Sequence, residues 1–362
     1  MRKLTRTEVD EILLAATILG TGGGGSLDEG MKLMDEIFSQ GKDLILADYD
    51  EVPEDALIGS PYMCGAISPL TEEEIAKYKD LPVMEDDFCV IAARSMEEFI
   101  GKKFAGFNSV EFGGGNTAVA MYVAATAGVP IMNCDAAGRA VPDLQLSTYN
   151  IHGINIAPVA VANEFGDQAI FTHLVNDYRA EDMVRALAVV SKNAIGVVDH
   201  INTAGVLKDA VILGAMDYLQ KVGHAWNEAK NAGRDPIAAC VEAGGGRIAY
   251  YGTVKEQTYD TVNGYTVGDT YITTEDNDEL HIWFRNENIV MWKNGVPHYT
   301  APDLICIVDA ETGRPVCNPN LKPNEKVAVL LFPCDPMWKT PKGIELLGPR
   351  AFGFDFDPIH AF

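Results

Sequence analysis

Basic residues are scarce in this chain, and their scarcity argues against two classes of partner. The 362 residues contain 28 lysines and arginines against 52 aspartates and glutamates, a formal net charge of −24. Nucleic acids and anionic membrane surfaces are bound through clusters of positive charge. We therefore expect no nucleic acid and no membrane as a partner. The charge balance does not identify the substrate, which we expect to be a small molecule. The acidic balance itself mainly promotes solubility.

Long apolar runs are absent too. No stretch approaches the length of a membrane-spanning helix, and the N-terminus, MRKLTRTEVDEILL, has no apolar signal-peptide region and no small-residue cleavage site. This predicts a cytoplasmic protein. The seven cysteines are scattered without a CxxC pair, so we expect free and mostly buried thiols in a reducing compartment.

The signature motifs of metal enzymes are also missing. There is no HExxH, His-x-His or paired CxxC motif, and the seven histidines lie far apart. The cofactor is left open. A divalent metal such as zinc has no sequence signature here, although Cys64, Asp135, Asp143 and His152 are residue types that could assemble a site from distant positions. The absence of a GxSxG elbow argues against a serine hydrolase of the α/β class.

The apolar content that is present suffices for two domains. Hydrophobic residues make up 47% of the chain, and 362 residues favour two domains over one. The turn-like stretch 163–167 marks the predicted boundary between an N-terminal α/β domain (1–165) and a C-terminal α+β domain (166–362). A long helix is predicted from Leu207 to Val222. Alternation at 280–284 and a turn at Asn294-Gly295 predict antiparallel strands. The fold class is thus α/β, with a βαβ core and a mixed second domain rich in antiparallel strands.

The stretch from Ser109 to Asp143 organises the first domain. Glycines 113–115 and the Ala/Val-rich run after them predict a turn and a helix, and a buried strand follows at 129–132. Both polar loops of such a βαβ unit fall at the carboxyl ends of parallel strands, where open α/β sheets bind ligands. Each residue alone is explained more simply by turns and helix caps, whereas the whole set favours a site. The candidates in these loops are Glu111, Gly114, Asn116, Asp135, Arg139 and Asp143.

Four of these residues are the candidate catalytic groups: Glu111, Asp135, Arg139 and Asp143. Glu111 or Asp135 could act as general base toward water, and Arg139 with backbone N–H groups could stabilise developing negative charge. We expect Asp135 and Arg139 to point into the cleft at the sheet edge. The rival interpretation is a salt bridge between them that holds the loop in place.

A second glycine-rich loop joins two predicted helices. A loop of this kind can offer N–H groups to an anion or a polarised oxygen, so its residues are candidate substrate-binding groups. It lacks the Gly-Lys-Ser/Thr of a P-loop, and the helical segment before it excludes a Rossmann fingerprint. A flexible linker is the equally weighted alternative. The loop residues are Thr21, Gly22, Gly23, Gly24, Gly25 and Ser26.

Cys64 and His152 complete the substrate-binding candidates, together with Gly114 and Asn116. Cys64 lies in a glycine-flanked bend where its thiol could be exposed, although a buried structural cysteine is the simpler interpretation. His152 follows closely on the polar loop and could reach the site. An isolated histidine more often has a structural role.

An ordered set of motifs resembles those of the S-methyl thiohydantoin desulfurase family. The motifs are weak singly, specific as a set, and span nearly the whole chain. They are LGTGGGGS (19–26), EFGGGNT (111–117), NCDAAGRAVPDLQ (133–145), TAPDLICIVDAETGRP (300–315) and GPRAFGFD (348–355). The chain departs from the family pattern at Asn133, usually aspartate, at Cys134, usually glycine, and at Asp143, usually glutamate. It also has Met-Cys-Gly-Ala-Ile at 63–67 where the family usually has Met-Gly-Ala-Pro.

The resemblance implies an N-terminal α/β domain to about residue 165 and a C-terminal domain beyond it. It also implies hydrolysis at the sulfur-substituted carbon of a five-membered cyclic imide-like ring. We therefore expect a hydrolase that acts on a hydantoin-like or S-methyl thiohydantoin ring and releases a thiol or opens a cyclic amide. Two alternatives stay open: a non-catalytic subunit, and a phosphate- or nucleotide-binding protein that uses the Gly22–Gly25 loop. A homo-oligomer is a candidate assembly.

Overall fold

The computed structural model describes residues 1–67 and 69–362 and contains two β-sheets with helices packed against both. The described helices are α1 (Arg6–Leu19), α2 (Leu27–Ser39), α3 (Glu72–Tyr78), α4 (Phe88–Ile100), α5 (Gly114–Ala127), α6 (Thr148–Ile151), α7 (Asp177–Val189), α8 (Ala204–Leu207), α9 (Ala215–Asn231), α10 (Pro236–Gly244) and α11 (Pro341–Leu347).

The first sheet is mixed, with the strand order β1-β2-β5-β4-β3-β8-β6-β7 and β9 paired to β5. Strands β2, β5, β4 and β3 are parallel, whereas β1, β8, β6, β7 and β9 run antiparallel to their neighbours. Its strands are β1 (Arg2–Lys3), β2 (Ile45–Ala47), β3 (Leu57–Gly65), β4 (Gly106–Ser109), β5 (Ile131–Asp135), β6 (Val159–Ala162), β7 (Gln168–Phe171), β8 (Ala194–Thr203) and β9 (Ile212–Leu213).

The predicted βαβ unit is confirmed as β4-α5-β5. The two strands are parallel neighbours, with Ser109 opposite Asp135. Helix α5 is buried along most of its length because its small apolar side chains let it pack closely against the sheet and against α2. It ends at Gly128, whose φ of +71° is the left-handed conformation that favours glycine. The polar loops after β4 and β5 therefore lie at one edge of the sheet.

Two capping boxes place the first glycine-rich loop. Thr5 with Glu8 begins α1, and Ser26 with Glu29 begins α2. Helix α1 is almost wholly buried, and it contacts α2, α5 and α9 as well as the strand Leu304–Asp309 of the second sheet. The loop that follows it therefore starts at the junction between the two sheets, and the prediction that it joins two helices is confirmed.

The second sheet is entirely antiparallel, in the order β14-β13-β12-β11-β10-β16-β15. Asn263-Gly264 and Asn294-Gly295 both have positive φ, as a type I′ hairpin turn requires. The antiparallel second domain is thus confirmed. Its strands are β10 (Arg247–Val262), β11 (Tyr265–Thr274), β12 (Glu279–Arg285), β13 (Glu287–Lys293), β14 (Val296–Thr300), β15 (Leu304–Asp309) and β16 (Lys326–Phe332).

The single helix predicted from Leu207 to Val222 is wrong in its first half. Strand β9 pairs antiparallel with the end of β5, Ile212 opposite Asp135. Gly214, with φ +75°, then turns the chain into α9. Pairing to the sheet edge outweighs the helical pattern, which is a tertiary effect that the local sequence does not contain.

The two domains share a continuous apolar core. Phe107 and Val119 of the first domain belong to the same buried cluster as Leu304 and Phe332 of the second. The boundary at residue 165 stays a prediction, and strands β7 to β9, which follow that residue, belong to the first sheet. No helix within 1–67 or 69–362 has the length and apolar character of a membrane span.

Candidate active site

A cavity of about 830 Å³ lies beside the carboxyl ends of β3 and β4, and both domains contribute to its lining. Its first-domain walls come from the glycine-rich loop, α2, the start of α5 and the loop after β5, and the second domain adds the start of β13. Its polar lining includes Ser26, Cys64, Glu111, Asn116, Asp143, Arg185, Asp199, His200 and Glu287. Of the sequence candidates, Gly22–Gly25, Ser26, Cys64, Glu111, Asn116 and Asp143 are brought together here.

The glycine-rich loop is held by backbone hydrogen bonds from both domains. The N–H groups of Gly115 and Asn116 both donate to the carbonyl of Gly24 at 3.0 Å. From the second domain, the N–H of Asn318 donates to the carbonyl of Gly22 at 2.8 Å. The first-turn amides of α5 are therefore occupied by the loop itself. The loop is a fixed element between the domains, and the linker interpretation does not describe it.

Gly24 shows why the loop needs glycine. Its φ is +73°, and a Cβ there would lie 2.7 Å from the Cα of Gly113 and from the carbonyl oxygen of Phe112. Neither backbone atom can move aside cheaply, because both belong to the βαβ unit. Two glycine segments thus pack backbone against backbone at this point.

We expect Gly24→Ala to destabilise the fold far more than Gly41→Ala. Gly41 has a similar φ of +68°, but a Cβ on Gly41 would meet nothing within 4 Å. Left-handed strain alone costs about 1–2 kcal/mol, which is the expected loss for Gly41→Ala. Overpacking should add a further ~1–3 kcal/mol at Gly24. Urea unfolding of both variants measures the difference, and equal losses would show that the loop is not tightly packed.

Glu287 reaches the cavity from the start of β13 and packs over Gly23. A Cβ on Gly23 would lie 1.8 Å from Glu287 Oε1, so the absent side chain at Gly23 makes room for this carboxyl group. Glu287 is 2% exposed, and its Oε2 has no hydrogen-bond partner in the described part of the chain. Burial and the negative charge of Glu111 raise the pKa of Glu287 well above its ordinary value, and Arg139 offsets part of this rise. This raised pKa favours the protonated form of Glu287.

Glu111 is the second buried carboxyl group of the cavity. Its Oε1 accepts a hydrogen bond from Asn116 Nδ2 at 2.5 Å, and its Oε2 accepts one from the N–H of Val141 at 2.8 Å. Burial raises the pKa of Glu111 to about 7, against the lowering effect of these two hydrogen bonds. A carboxylate that is half ionised at neutral pH suits a general base.

Asp143 and Cys64 lie at the same cavity in a different setting. Asp143 accepts hydrogen bonds from Tyr265 and Arg285 of the second domain, and burial with the nearby charge of Glu181 raises its pKa. Burial also raises the pKa of the Cys64 thiol to about 12. Cys64 is therefore a neutral thiol at physiological pH and lacks the thiolate that a cysteine nucleophile requires. Asp143 instead joins the two domains beside the cavity.

Asp135 and Arg139 do not line the cavity, contrary to the expectation that they point into the cleft. Asp135 is fully buried: its Oδ1 accepts hydrogen bonds from the N–H groups of Ala137 and Gly138, and its Oδ2 accepts one from Ser109 Oγ. It folds the loop after β5 back on itself. There is also no Asp135–Arg139 hydrogen bond or ion pair in the described residues, so the rival salt bridge is not formed either.

Arg139 is a buried connector between the domains. Its guanidinium donates to the carbonyls of Pro302, Asp303 and Asn288 and to the hydroxyl of Thr21. Its charge lowers the pKa values of Glu111 and Glu287, although burial keeps both raised. Arg139 therefore affects the pKa values of the two cavity carboxyl groups electrostatically, although its own side chain does not line the cavity.

We expect Asp135→Asn to keep both the fold and most of the activity. An asparagine Oδ1 can accept the same two backbone hydrogen bonds, and its Nδ2 can donate to Ser109 Oγ. Because the charge of Asp135 contributes to the raised pKa of Glu111, the variant should shift the acidic limb of the activity profile to lower pH. Asp135→Ala should instead lose about 2–4 kcal/mol, since it leaves buried donors unpaired. A loss of turnover by about 10²-fold or more in a stable Asp135→Asn protein would restore its catalytic role.

Three other candidates lie outside the cavity lining. His152 is exposed just after α6, because the short helix carries it away from the polar loop. Gly114 is buried against Thr17 Oγ1 and the backbone N of Leu27, so it packs α5 against α2. The hydroxyl of Thr21 accepts the hydrogen bond from Arg139 described above.

Sequence reasoning missed Glu287 and the pair Asp199–His200. His200 Nδ1 lies 2.8 Å from Asp199 Oδ1, and Tyr62 donates to the other oxygen of Asp199 at 2.6 Å. Burial lowers the pKa of His200, but Asp199 and Asp177 outweigh it and raise the value to about 9. The available signals were an acid between two asparagines at the start of a strand, Asn286 to Asn288, and two polar residues directly after the apolar run 195–198.

The cavity shows no metal centre in the part of the chain that the structure describes. Among the side chains that the structure describes, no three of His, Cys, Asp or Glu come together in a way that could hold a metal ion. The candidates Cys64, Asp135, Asp143 and His152 do not form such a group.

Comparison with known proteins gives both a family and a fold. The model of the S-Me-THD-like N-terminal domain matches residues 7–173, and that of the S-Me-THD-like C-terminal domain matches residues 175–360. A crystal structure of a protein from Chromobacterium violaceum is similar over 99% of both chains, with 20% identity and a TM-score of 0.76, which supports the fold alone. No curated protein matches. The resemblance drawn from the motifs is confirmed: the chain belongs to the S-Me-THD-like family, named for S-methyl thiohydantoin.

Proposed function

We propose that this protein is a hydrolase acting on a hydantoin-like or S-methyl thiohydantoin ring, from which it releases a thiol or opens a cyclic amide. The observation that carries the proposal is the pair Glu111 and Glu287, two buried carboxyl groups facing one cavity. The pKa of Glu111 is raised to about 7 and that of Glu287 well above its ordinary value, and we assign Glu111 as the base and Glu287 as the acid. Paired carboxyl groups with separated pKa values are a recurrent acid–base device.

Each carboxyl group has a distinct role in the proposed reaction. Glu287 donates its proton to the ring nitrogen beside the sulfur-substituted carbon, which makes that carbon more electrophilic. Glu111 removes a proton from water as the oxygen attacks the same carbon. Asn116 and the N–H of Val141 hold Glu111 in place, because each donates to one of its oxygens.

The second step releases the thiol and restores both acids. The carbon–sulfur bond breaks, and the leaving thiolate takes the proton that Glu111 gained from water. The hydroxyl on the ring carbon becomes a carbonyl, and its proton returns to Glu287. One water is consumed, one thiol is released, and both carboxyl groups end in their starting states.

The phosphate- or nucleotide-binding alternative receives less support. The start of α2 is already capped by Ser26 and Glu29, and the first amides of α5 are engaged by Gly24. Acidic side chains outnumber basic ones along the cavity lining, which disfavours a phosphate ligand. The non-catalytic subunit gives no reason for two buried carboxyl groups with raised pKa values at one cavity.

Incubation of the purified protein with S-methyl thiohydantoins and with hydantoins tests the proposal. We expect free thiol from the former, detected with a thiol reagent, or ring opening of the latter. Elemental analysis of the same preparation reports whether a divalent metal such as zinc accompanies the protein. Absence of both products, with a thermal shift on ATP, GTP or NAD, would favour the nucleotide-binding alternative. Light scattering tests the candidate homo-oligomer.

A further inference from the structure

One wall of the cavity is apolar and adjoins the acid pair. Leu33 of α2, Val119 of α5 and Phe88 at the start of α4 line it, and α5 contacts both other helices. Met63 from β3 extends the wall to the surface, since its side chain is 39% exposed. Its backbone N–H donates to Asn116 Oδ1 at 2.9 Å, and the Nδ2 of the same asparagine donates to Glu111. The apolar wall therefore begins beside the proposed general base.

The acidic residues along this wall already have partners within the protein. Glu36 accepts a hydrogen bond from the hydroxyl of Tyr122 at 2.6 Å, and Asp87 caps α4 by accepting from the N–H of Cys89. Neither carboxylate needs a ligand to satisfy it. What the wall presents to a bound molecule is mainly apolar surface beneath a negatively charged rim, which suits a neutral group better than a carboxylate.

The volume of the cavity exceeds what the reacting ring requires. At about 830 Å³ it lies in the upper part of the range that holds drug-sized ligands, roughly 300–1,000 Å³. A five-membered ring with a methylthio group would occupy a small part of it. The apolar wall therefore borders part of the space that the ring leaves free.

We infer that the substrate ring carries a neutral apolar substituent that packs along Leu33, Met63, Phe88 and Val119. This rests on the proposed function and narrows its substrate class. The substituent is attached either to a ring carbon or to the sulfur, and the apolar contact with the wall is common to both. Glu36 and Asp87 beside this wall disfavour an anionic substituent, although Lys32 also lines the cavity.

A substrate series tests the inference. Thiohydantoins with hydrogen, benzyl or carboxymethyl on the saturated ring carbon form one arm, and S-methyl against S-benzyl forms the other. We expect kcat/KM for one of the benzyl compounds to exceed that of the corresponding small compound by about 10- to 100-fold, the range for filling an apolar pocket. Carboxymethyl should be the poorest. If the ring-carbon benzyl compound is preferred, the substituent is attached to the ring carbon. If the S-benzyl compound is preferred, it is attached to the sulfur.

Two methionine variants make the test specific to the wall. Met63 and Met183 are both 39% exposed, but only Met63 lines the cavity. Met63→Ser should reduce the preference for the benzyl compound by about tenfold, whereas Met183→Ser should leave it unchanged. Equal kcat/KM for all neutral compounds would overturn the inference while leaving the proposed hydrolase standing. Absence of turnover throughout would instead count against the proposed function.

Discussion

Glu111→Gln should lower kcat/KM by about 10²- to 10⁴-fold, the usual contribution of a general base. The substitution keeps an oxygen and a nitrogen at the positions of the two carboxylate oxygens, but it removes the group that accepts the proton of water. One of the two donors, Asn116 Nδ2 or Val141 N–H, loses its acceptor, so we expect a stability change of no more than about 1–3 kcal/mol. Turnover and the melting temperature are to be measured on the same preparation.

Glu11→Gln is the matched control for this prediction. Glu11 is also a buried carboxyl group, but it lies outside the cavity and faces His224 and Asn227 of α9. Its substitution should leave kcat/KM within about twofold of the wild-type value, because it is remote from the acid pair. If Glu111→Gln retains activity, or loses it only in proportion to unfolding, the general base lies elsewhere.

Glu287→Gln should lower kcat by a similar factor of about 10²–10⁴ and should also stabilise the protein. Glutamine can still donate a hydrogen bond, but it cannot supply a proton to the ring nitrogen. In the folded state the pKa of Glu287 is raised well above its ordinary value, whereas the unfolded chain releases the Glu287 proton above about pH 4.5. The free energy of unfolding of the wild type therefore falls as the pH rises above about 4.5. Glu287→Gln lacks this titrating group and should not show that fall.

The difference in melting temperature between Glu287→Gln and the wild type should thus grow from pH 5 to pH 8. Thermal unfolding at both pH values, with Glu11→Gln alongside, measures it. A destabilised Glu287→Gln protein at pH 8 would show that the carboxyl group is ionised and paired in the folded state. That result would contradict its role as the acid.

The parts of the fold that local sequence specifies were predicted well. Local signals predict the βαβ unit: glycines 113–115, the small apolar run after them, and Gly128. The asparagine–glycine pair at 294–295 likewise marked a hairpin. Strand β9 was missed because its hydrogen bonds go to Cys134 and Asp135, residues far away in sequence.

The lining of the cavity was predicted in part, for a related physical reason. Glu111 and Asn116 were predicted to lie there because their position shortly after the carboxyl end of β4 follows from topology. The direction in which Asp135 points depends on three hydrogen-bond donors around it. Its position at the end of a strand does not reveal these donors. Glu287 comes from the other domain, and only the packing of β13 against Gly23 brings it to the cavity.

The pH dependence of kcat/KM tests the central claim that Glu111 and Glu287 act as base and acid. For the wild type we expect kcat/KM to rise as Glu111 ionises near pH 7, and to fall at higher pH where Glu287 loses its proton. The residual kcat/KM of Glu287→Gln should still rise near pH 7, but it should no longer fall at higher pH. A wild-type profile that is flat between about pH 5 and pH 9, or a rise that persists in Glu111→Gln, would contradict the account.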